Sequence, residues 1–393
     1  MNTIKSLELF TGAGGLALGL QQAGCDHTYL IERDKYSCDN IRSNVDAKVK
    51  LVQDWKVLET DVKLVNYREL DSGVELVAGG PPCQPFSLGG KHRAFMDSRD
   101  MFPEAVRAVS ELQPKVFVFE NVKGLLRKSF ATYFSYIILQ LTYPEATRKK
   151  TETWMDHLSR LERHHTSSSE SSLRYNVVFR LLNAADYGVP QLRHRVFIVG
   201  FRSDLGISWS FPNPTHSFDN LLYSQWVSGE YWDQHKVPKK RRPELSPRIA
   251  SRVERLASEY SLGIPDQCRW LTTRDAIHDL PDPKNRKLAS RIRNHELRDG
   301  ARAYSGHTGS LLDEPSKTIK AGAHGVPGGE NMVRLDDGSI RYFTVRESAR
   351  IQTFPDEYFF FNSWTESMRQ IGNAVPVRLA EVVGHSVVSH LMA

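Results

Sequence analysis

The sequence predicts an α/β fold: a doubly wound, mostly parallel sheet carrying a smaller and irregular second domain. Three observations lead there. Short apolar runs end abruptly in glycine or a carboxylate, as in Val74-Glu75-Leu76-Val77-Ala78 followed by Gly79-Gly80-Pro81-Pro82, and Val116-Phe117-Val118-Phe119 followed by Glu120. A strand-like run, Leu7 to Phe10, passes through Thr11-Gly12-Ala13-Gly14-Gly15 into a helical pattern with Leu16, Leu18, Leu20 and Ala23. After Gly200 the regular alternation gives way to a stretch rich in Pro, Gly, aromatic and basic residues.

At 393 residues the chain is long enough for two domains, and its net charge of +6 suits a polyanionic partner without establishing one. The four cysteines, Cys25, Cys38, Cys83 and Cys268, show no Cys-x-x-Cys spacing, which argues against a zinc site or a disulfide framework. No run approaches the roughly 18 apolar residues of a membrane span, and the amino terminus has no signal-peptide core. A soluble, monomeric protein of a reducing cytoplasm, with no membrane association, is expected.

Taken in order, the first strand leads into a glycine turn that lets backbone approach a small molecule at a helix amino terminus. The second strand, Thr28 to Ile31, ends in Glu32, placed to accept hydrogen bonds from ribose hydroxyls. Asp34 is expected to cap a helix through Asn44. The run 74–78 stops at two glycines and two prolines, so the following Cys83 is presented on a stiff loop at the carboxyl edge of the sheet, where open α/β sheets bind ligands. A helix from Met101 to Leu112 returns to the strand 116–119, which places Glu120 on the same edge as Cys83. Residues 145–172 form an insertion, with Trp154, Met155, Leu158 and Leu161 on one helical face and a Ser-rich tether after it; His164-His165 reads as solvated surface. The sheet resumes at Asn176 to Leu182 and again at Gln191 to Val199, where Gln191, Arg193 and Arg195 alternate onto one face of an extended segment. Thr344-x-x-Glu347 is a capping box, and Gly372-Asn373-Ala374-Val375-Pro376 precedes a final apolar helix, Leu379 to Leu391.

Gly-Pro-Pro-Cys-Gln-Pro-Phe-Ser, residues 80–87, resembles the nucleophile loop of the DNA (cytosine-5) methyltransferases, bacterial restriction–modification type. Further blocks in the family's order, from Leu7 to Val377, resemble it too. The resemblance implies a Rossmann-like, S-adenosyl-L-methionine (SAM)-dependent catalytic domain over residues 1–201, a target-recognition domain over 202–341, and a hinge with return of the last helix over 342–393. It implies SAM contacts at Phe10, Thr11, Gly12, Gly14, Gly15, Glu32, Asp61, Val62, Pro81, Asn373 and Val375. Arg33 departs from relatives that carry an aromatic residue there against the adenine. In the catalytic set it implies Cys83 as nucleophile, Glu120 at N3 of the base, Asn121 and Gln191 bracing Glu120, Arg193 at the cytosine and Arg195 on the neighbouring backbone.

The chemistry suits these residue types. Cytosine C5 is a poor nucleophile until a thiolate adds at C6 and a donor at N3 disperses the developing charge. The base must leave the stack first. Duplex DNA is the expected partner, with Lys239 to Arg242, Arg286-Lys287, Arg291, Arg293 and Arg298 suited to phosphates, and with the glycine-rich piece 320–329 as either a groove-reading loop or a connector. A cognate restriction endonuclease acting on the same site is a further inferred partner. No metal is required. An RNA cytosine-5 methyltransferase and a catalytically silent DNA-binding regulator are the alternatives, and a dinucleotide oxidoreductase is a remote one.

Overall fold

The computed structural model describes residues 3–70, 73–82, 100–167, 173–260, 266–305, 308–321 and 331–393. Its contacts separate two units, the first made of Met1–Leu182, His194–Pro212 and Ala380–Ala393, the second of Asn183–Arg193 and Asn213–Leu379.

The first unit is built on a seven-stranded sheet. Its elements in chain order are β1 (Ile4–Leu9), α1 (Gly15–Gln22), β2 (Cys25–Glu32), α2 (Lys35–Asp46), β3 (Val57–Glu59), β4 (Leu76–Gly79), α3 (Phe102–Leu112), β5 (Val116–Val122), α4 (Ala131–Thr142), α5 (Trp154–Thr166), β6 (Tyr175–Asn183) and β7 (His194–Arg202). The strand order is β3-β2-β1-β4-β5-β7-β6. The pairs from β3 to β5 are parallel, and β7 runs antiparallel to β5. This is the doubly wound sheet expected from the sequence. The central strands β4 and β5 are buried almost throughout because helices cover both faces. Leu7, Val77, Phe117, Phe119 and Ile198 join Phe102, Val109 and Ile137 in one core.

Local chemistry sets the boundaries. Asp34 caps α2 by accepting from the Ser37 amide, as expected, and the helix runs to Asp46. On α5, Trp154, Leu158 and Leu161 pack inward, but Met155 is about half exposed and belongs to the outer face, since position 155 lies a full 100° around from 154. His164 and His165 are not simply solvated: both rings meet Tyr143, whose hydroxyl lies 2.9 Å from His165 Nδ1. The expected strand from Gln191 to Val199 starts only at His194. The period-two argument for a shared Gln191–Arg193–Arg195 face therefore fails, because residues 191 and 193 precede the strand and are held by other partners.

The second unit contains β8 (His216–Ser217) paired with β9 (Cys268–Arg269), short helices α6 (Phe218–Leu222) and α7 (Glu230–Gln234), and the longer α8 (Pro247–Glu259). It continues with α9 (Thr273–Ile277), α10 (Arg286–Ala289), and a small sheet β10-β11-β12 (Ser310–Leu311, Met332–Arg334, Ile340–Tyr342). Helices α11 (Val345–Ile351) and α12 (Trp364–Asn373) follow. The Thr344 capping box is formed in both directions, and Glu347 also takes both terminal nitrogens of Arg341. The last helix, α13 (Val377–Met392), packs from Ala380 onward with the first unit, where Gly384 lies so close to Ala23 and Leu20 that a Cβ would sit 2.9 Å from each. No described helix is long and apolar enough to cross a membrane.

Candidate functional site

In the first unit, the chain leaves β1 in a left-handed path, with φ of 57° at Phe10, 55° at Gly12 and 79° at Gly14. Glycine adopts this freely, whereas at Phe10 it costs on the order of 1–3 kcal/mol and must be held by its surroundings. Bonds from the Thr11 amide to Ile31 O and from the Gly14 amide to Thr11 O hold the turn. Thr11 is buried, and Gly15 opens α1 with no side chain capping it, so the first-turn amides are left for a ligand. A Cβ on Gly12 would enter open space.

Glu32, at the end of β2, closes this cradle. One carboxylate oxygen accepts from the Gly12 amide at 2.8 Å, and the other accepts from the Arg33 and Asp34 amides at 2.8 Å each. Asp61 caps its own short turn through the Lys63 amide, next to buried Val62. Arg33 reaches across to Asp61, Nη1 to Oδ2 at 3.5 Å, so a cation faces the carboxylate expected to meet adenine.

Sequence reasoning passed over Glu8. It is fully buried on β1, its Oε2 has no partner among the described residues, and burial, with Glu32 nearby, pushes its pKa well above the carboxylate range against a hydrogen bond from the Ala17 amide. The signal was a lone acid in Leu7-Glu8-Leu9-Phe10, an otherwise apolar strand. An open glycine turn, a braced carboxylate and an unsatisfied buried carboxyl together fit a cationic nucleoside cofactor.

At the carboxyl edge, Leu9, Gly79 and Phe119 lie in register across β1, β4 and β5. Gly79 has to be glycine, since a Cβ there would meet Leu9 O at 2.6 Å. One residue further, a Cβ on Gly80 would lie 3.6 Å from Glu120 Oε2. Glu120 is buried and pairs with Arg195, Nε to Oε1 at 2.7 Å. Burial lowers the Arg195 pKa and Glu120 partly restores it.

Asn121 does not brace Glu120: its Nδ2 donates to Pro81 O at 2.9 Å. With the Met101 amide donating to Pro82 O at 3.0 Å, it anchors the two ends of the segment that carries Cys83. Cys83 itself lies outside the described residues, as do residues 322–329 of the glycine-rich stretch.

In the second unit, Arg193 is fully buried and spent on backbone. Nη1 donates to Ile319 O at 3.0 Å, and Nη2 to Gly372 O at 2.7 Å and Ala374 O at 3.0 Å. Those last two carbonyls flank Asn373, which is exposed at the end of α12, while Val375 is buried. The expectation that Arg193 touches the base thus meets a guanidinium committed to three carbonyls, and it is Arg195 that meets Glu120. Gln191 is likewise committed to other partners: Nε2 donates to Gln352 Oε1 at 2.8 Å and Oε1 accepts from the Ile319 amide at 3.1 Å. Gln352 completes the knot by donating to Ile371 O and Ala374 O. It was missed because a glutamine in a helical segment carries no local signal of burial.

The profile of the C-5 cytosine-specific DNA methylase family matches residues 4–143 and 154–389. The chain is similar to the Type II methyltransferase M.PspPI of Psychrobacter sp. (strain TA137), 34% identical over 98% of this chain and 79% of the relative. It is also similar to M.NgoMIV of Neisseria gonorrhoeae, 30% identical over 98% and 97%. In fold it resembles the S. pombe Dnmt2 methyltransferase, with a TM-score of 0.56 at 16% identity over 99% of this chain and 98% of that one. The glycine cradle and the Glu120–Arg195 edge therefore belong to a member of the C-5 cytosine-specific DNA methylase family, and the chain is a DNA (cytosine-5) methyltransferase.

Proposed function

We propose that this enzyme methylates C5 of a cytosine swung out of a specific duplex sequence, through a covalent bond between Cys83 and C6, and that it protects DNA from a cognate restriction endonuclease. The observation that carries the reading is the buried Glu120–Arg195 pair beside Gly80, which precedes Cys83 by three positions in the sequence. Type II names among the relatives support the nuclease partner.

The roles follow from the chain's own groups. The Cys83 thiolate adds to C6, the ring electrons move toward C5 and N3, and Glu120 holds the proton at N3. Arg195 fixes the orientation of Glu120 and supplies positive charge on the base side, a role expected of Arg193 from the sequence. Arg193 instead holds the carbonyls on either side of Asn373, and Gln191 holds Gln352 and the Ile319 amide. Phe10, Gly12, Gly14, Glu32 and Asp61 would hold SAM, which supplies an electrophilic methyl group when bound. The C5 proton is then taken up by water, the C5–H electron pair re-forms the C5–C6 double bond, and the C6–S bond breaks to release Cys83 as the thiolate.

A duplex carrying 5-fluorocytosine at the target tests this, because fluorine cannot depart from C5 as a cation. With SAM present the unaltered chain should form a complex stable to denaturing electrophoresis, and Cys83→Ala should form none. Methylation that survives Cys83→Ala would overturn the covalent reading. Bisulfite sequencing of DNA from an expressing host reads the recognition sequence.

A further inference from the structure

Several arginines of the second unit are neutralised within it. Arg252 pairs with Asp219, Arg269 with Asp275, Arg274 with Asp313 and Asp336, Arg341 with Glu347, and Arg350 with Asp279 and Asp356. The stretch from Arg286 to Arg298 departs from this pattern. Its Arg286, Lys287, Arg291, Arg293 and Arg298 are all exposed, and among the described residues none is ion-paired, although Glu296 lies in the same stretch and Asp299 follows it.

This stretch is also held in place more firmly than an ordinary basic loop. Asn294 sits at φ 66°, a left-handed conformation that asparagine tolerates, and its amide clamps the Phe360 backbone in both directions, at 2.7 and 3.0 Å. Its carbonyl accepts from the Arg346 amide at 2.7 Å. The adjoining His295 ring is fully buried between Thr344 Oγ1 and Pro281 O. On either side of this pin, the Arg293 guanidinium lies 4.4 Å from the Phe359 ring centre and that of Arg298 lies 5.5 Å from Trp364. A guanidinium against an aromatic ring keeps its edge N–H groups directed outward, in the fork that fits a phosphate. Its rotamer entropy is already partly lost before a ligand arrives.

We infer that Arg293 and Arg298, pinned on either side of Asn294-His295, form a preorganised shelf for the sugar-phosphate backbone of duplex DNA. The inference rests on the DNA-methylating function proposed above and locates a backbone contact within the second unit. Lys239, Lys240 and Arg241 are also exposed but, among the described residues, lie against no aromatic ring, which makes Lys239 and Lys240 the natural control.

The test is binding of a fluorescent duplex between about 50 and 200 mM salt, where each phosphate contact contributes roughly 0.9 to the slope of log K against log salt. Arg293→Gln with Arg298→Gln should lower that slope by about 2, equally for duplexes with and without the target sequence. Arg293→Lys with Arg298→Lys should recover most of the slope. An unchanged slope in a folded Gln variant overturns the shelf, as does an equal loss from Lys239→Gln with Lys240→Gln, which would make net charge the cause. If the Gln variant does not fold, arginine-selective dicarbonyl labelling of the unaltered protein reads the same contact: duplex DNA should protect Arg293 and Arg298, and labelling unaffected by DNA overturns it. Should the unaltered chain neither bind nor methylate duplex DNA, the function itself falls; if it methylates while the slope stays fixed, only the shelf does.

Discussion

Replacing Arg193 with Met separates a structural arginine from one that touches the base. In the folded chain the guanidinium supplies donors to Ile319 O, Gly372 O and Ala374 O, and lies 3.5 Å from Gln191 Oε1. Ala374 O keeps a second donor from Gln352 at 2.9 Å, so the substitution chiefly strips Ile319 and Gly372 of this partner. At about 1–3 kcal/mol for each buried carbonyl left short, the gross loss is roughly 2–6 kcal/mol. Methionine avoids burying a cation and recovers part of this, leaving about 2–4 kcal/mol. Hydrogen exchange at the amides around Ile319 and from Ile371 to Val377 is the assay, with each 1.4 kcal/mol appearing as a tenfold loss of protection if opening there is local. Arg193→Lys should not rescue it, because one ammonium cannot span the carbonyls that the planar fork reaches. Unchanged protection in Arg193→Met, with turnover lost, would refute the reasoning and return Arg193 to the base.

Arg195→Met should destabilise the first unit by about 3–5 kcal/mol by leaving Glu120 buried without its cation, and adding Glu120→Gln should restore most of that stability but not turnover; denaturant titration of the single and double variants measures it. Glu32→Ala removes the acceptor for the Gly12, Arg33 and Asp34 amides, so SAM affinity by calorimetry should fall at least about tenfold, a change of 1.4 kcal/mol, with Glu32→Gln no better because its NH₂ faces donors. Burial holds the His27 imidazole down at about 4, with its ring between Ser6 Oγ and Ala17 O. The folded value lies below the unfolded one, so the unfolded chain binds the extra proton. Stability is therefore complete above pH 6.5 and is lost as pH falls toward 4, by roughly 3 kcal/mol. Denaturation midpoints across that range should show the loss, and His27→Gln should remove it.

Much of the unit-one fold was legible because a parallel sheet writes itself locally. Strands covered on both faces are unbroken apolar runs, and their ends are marked by the residues that must turn or bind there, such as Gly79-Gly80 and Glu120. Caps are equally local, and Asp34 and Thr344 formed the bonds their spacing predicts. Glu8 was readable in principle, as an acid inside an apolar strand.

The sheet, the glycine turn and the residue types at the carboxyl edge were readable in the chain, since each rests on neighbours within a few positions, and the family was readable from the order of such blocks. Tertiary structure alone decided the partners. Arg193 and Arg195 are two residues apart and chemically identical, and a two-residue period puts them on one face. Yet one is bound to carbonyls 126 to 181 residues away and the other to a carboxylate on β5. The physical reason is that a guanidinium takes its role from whichever buried acceptors surround it, and those acceptors come from segments remote in the chain.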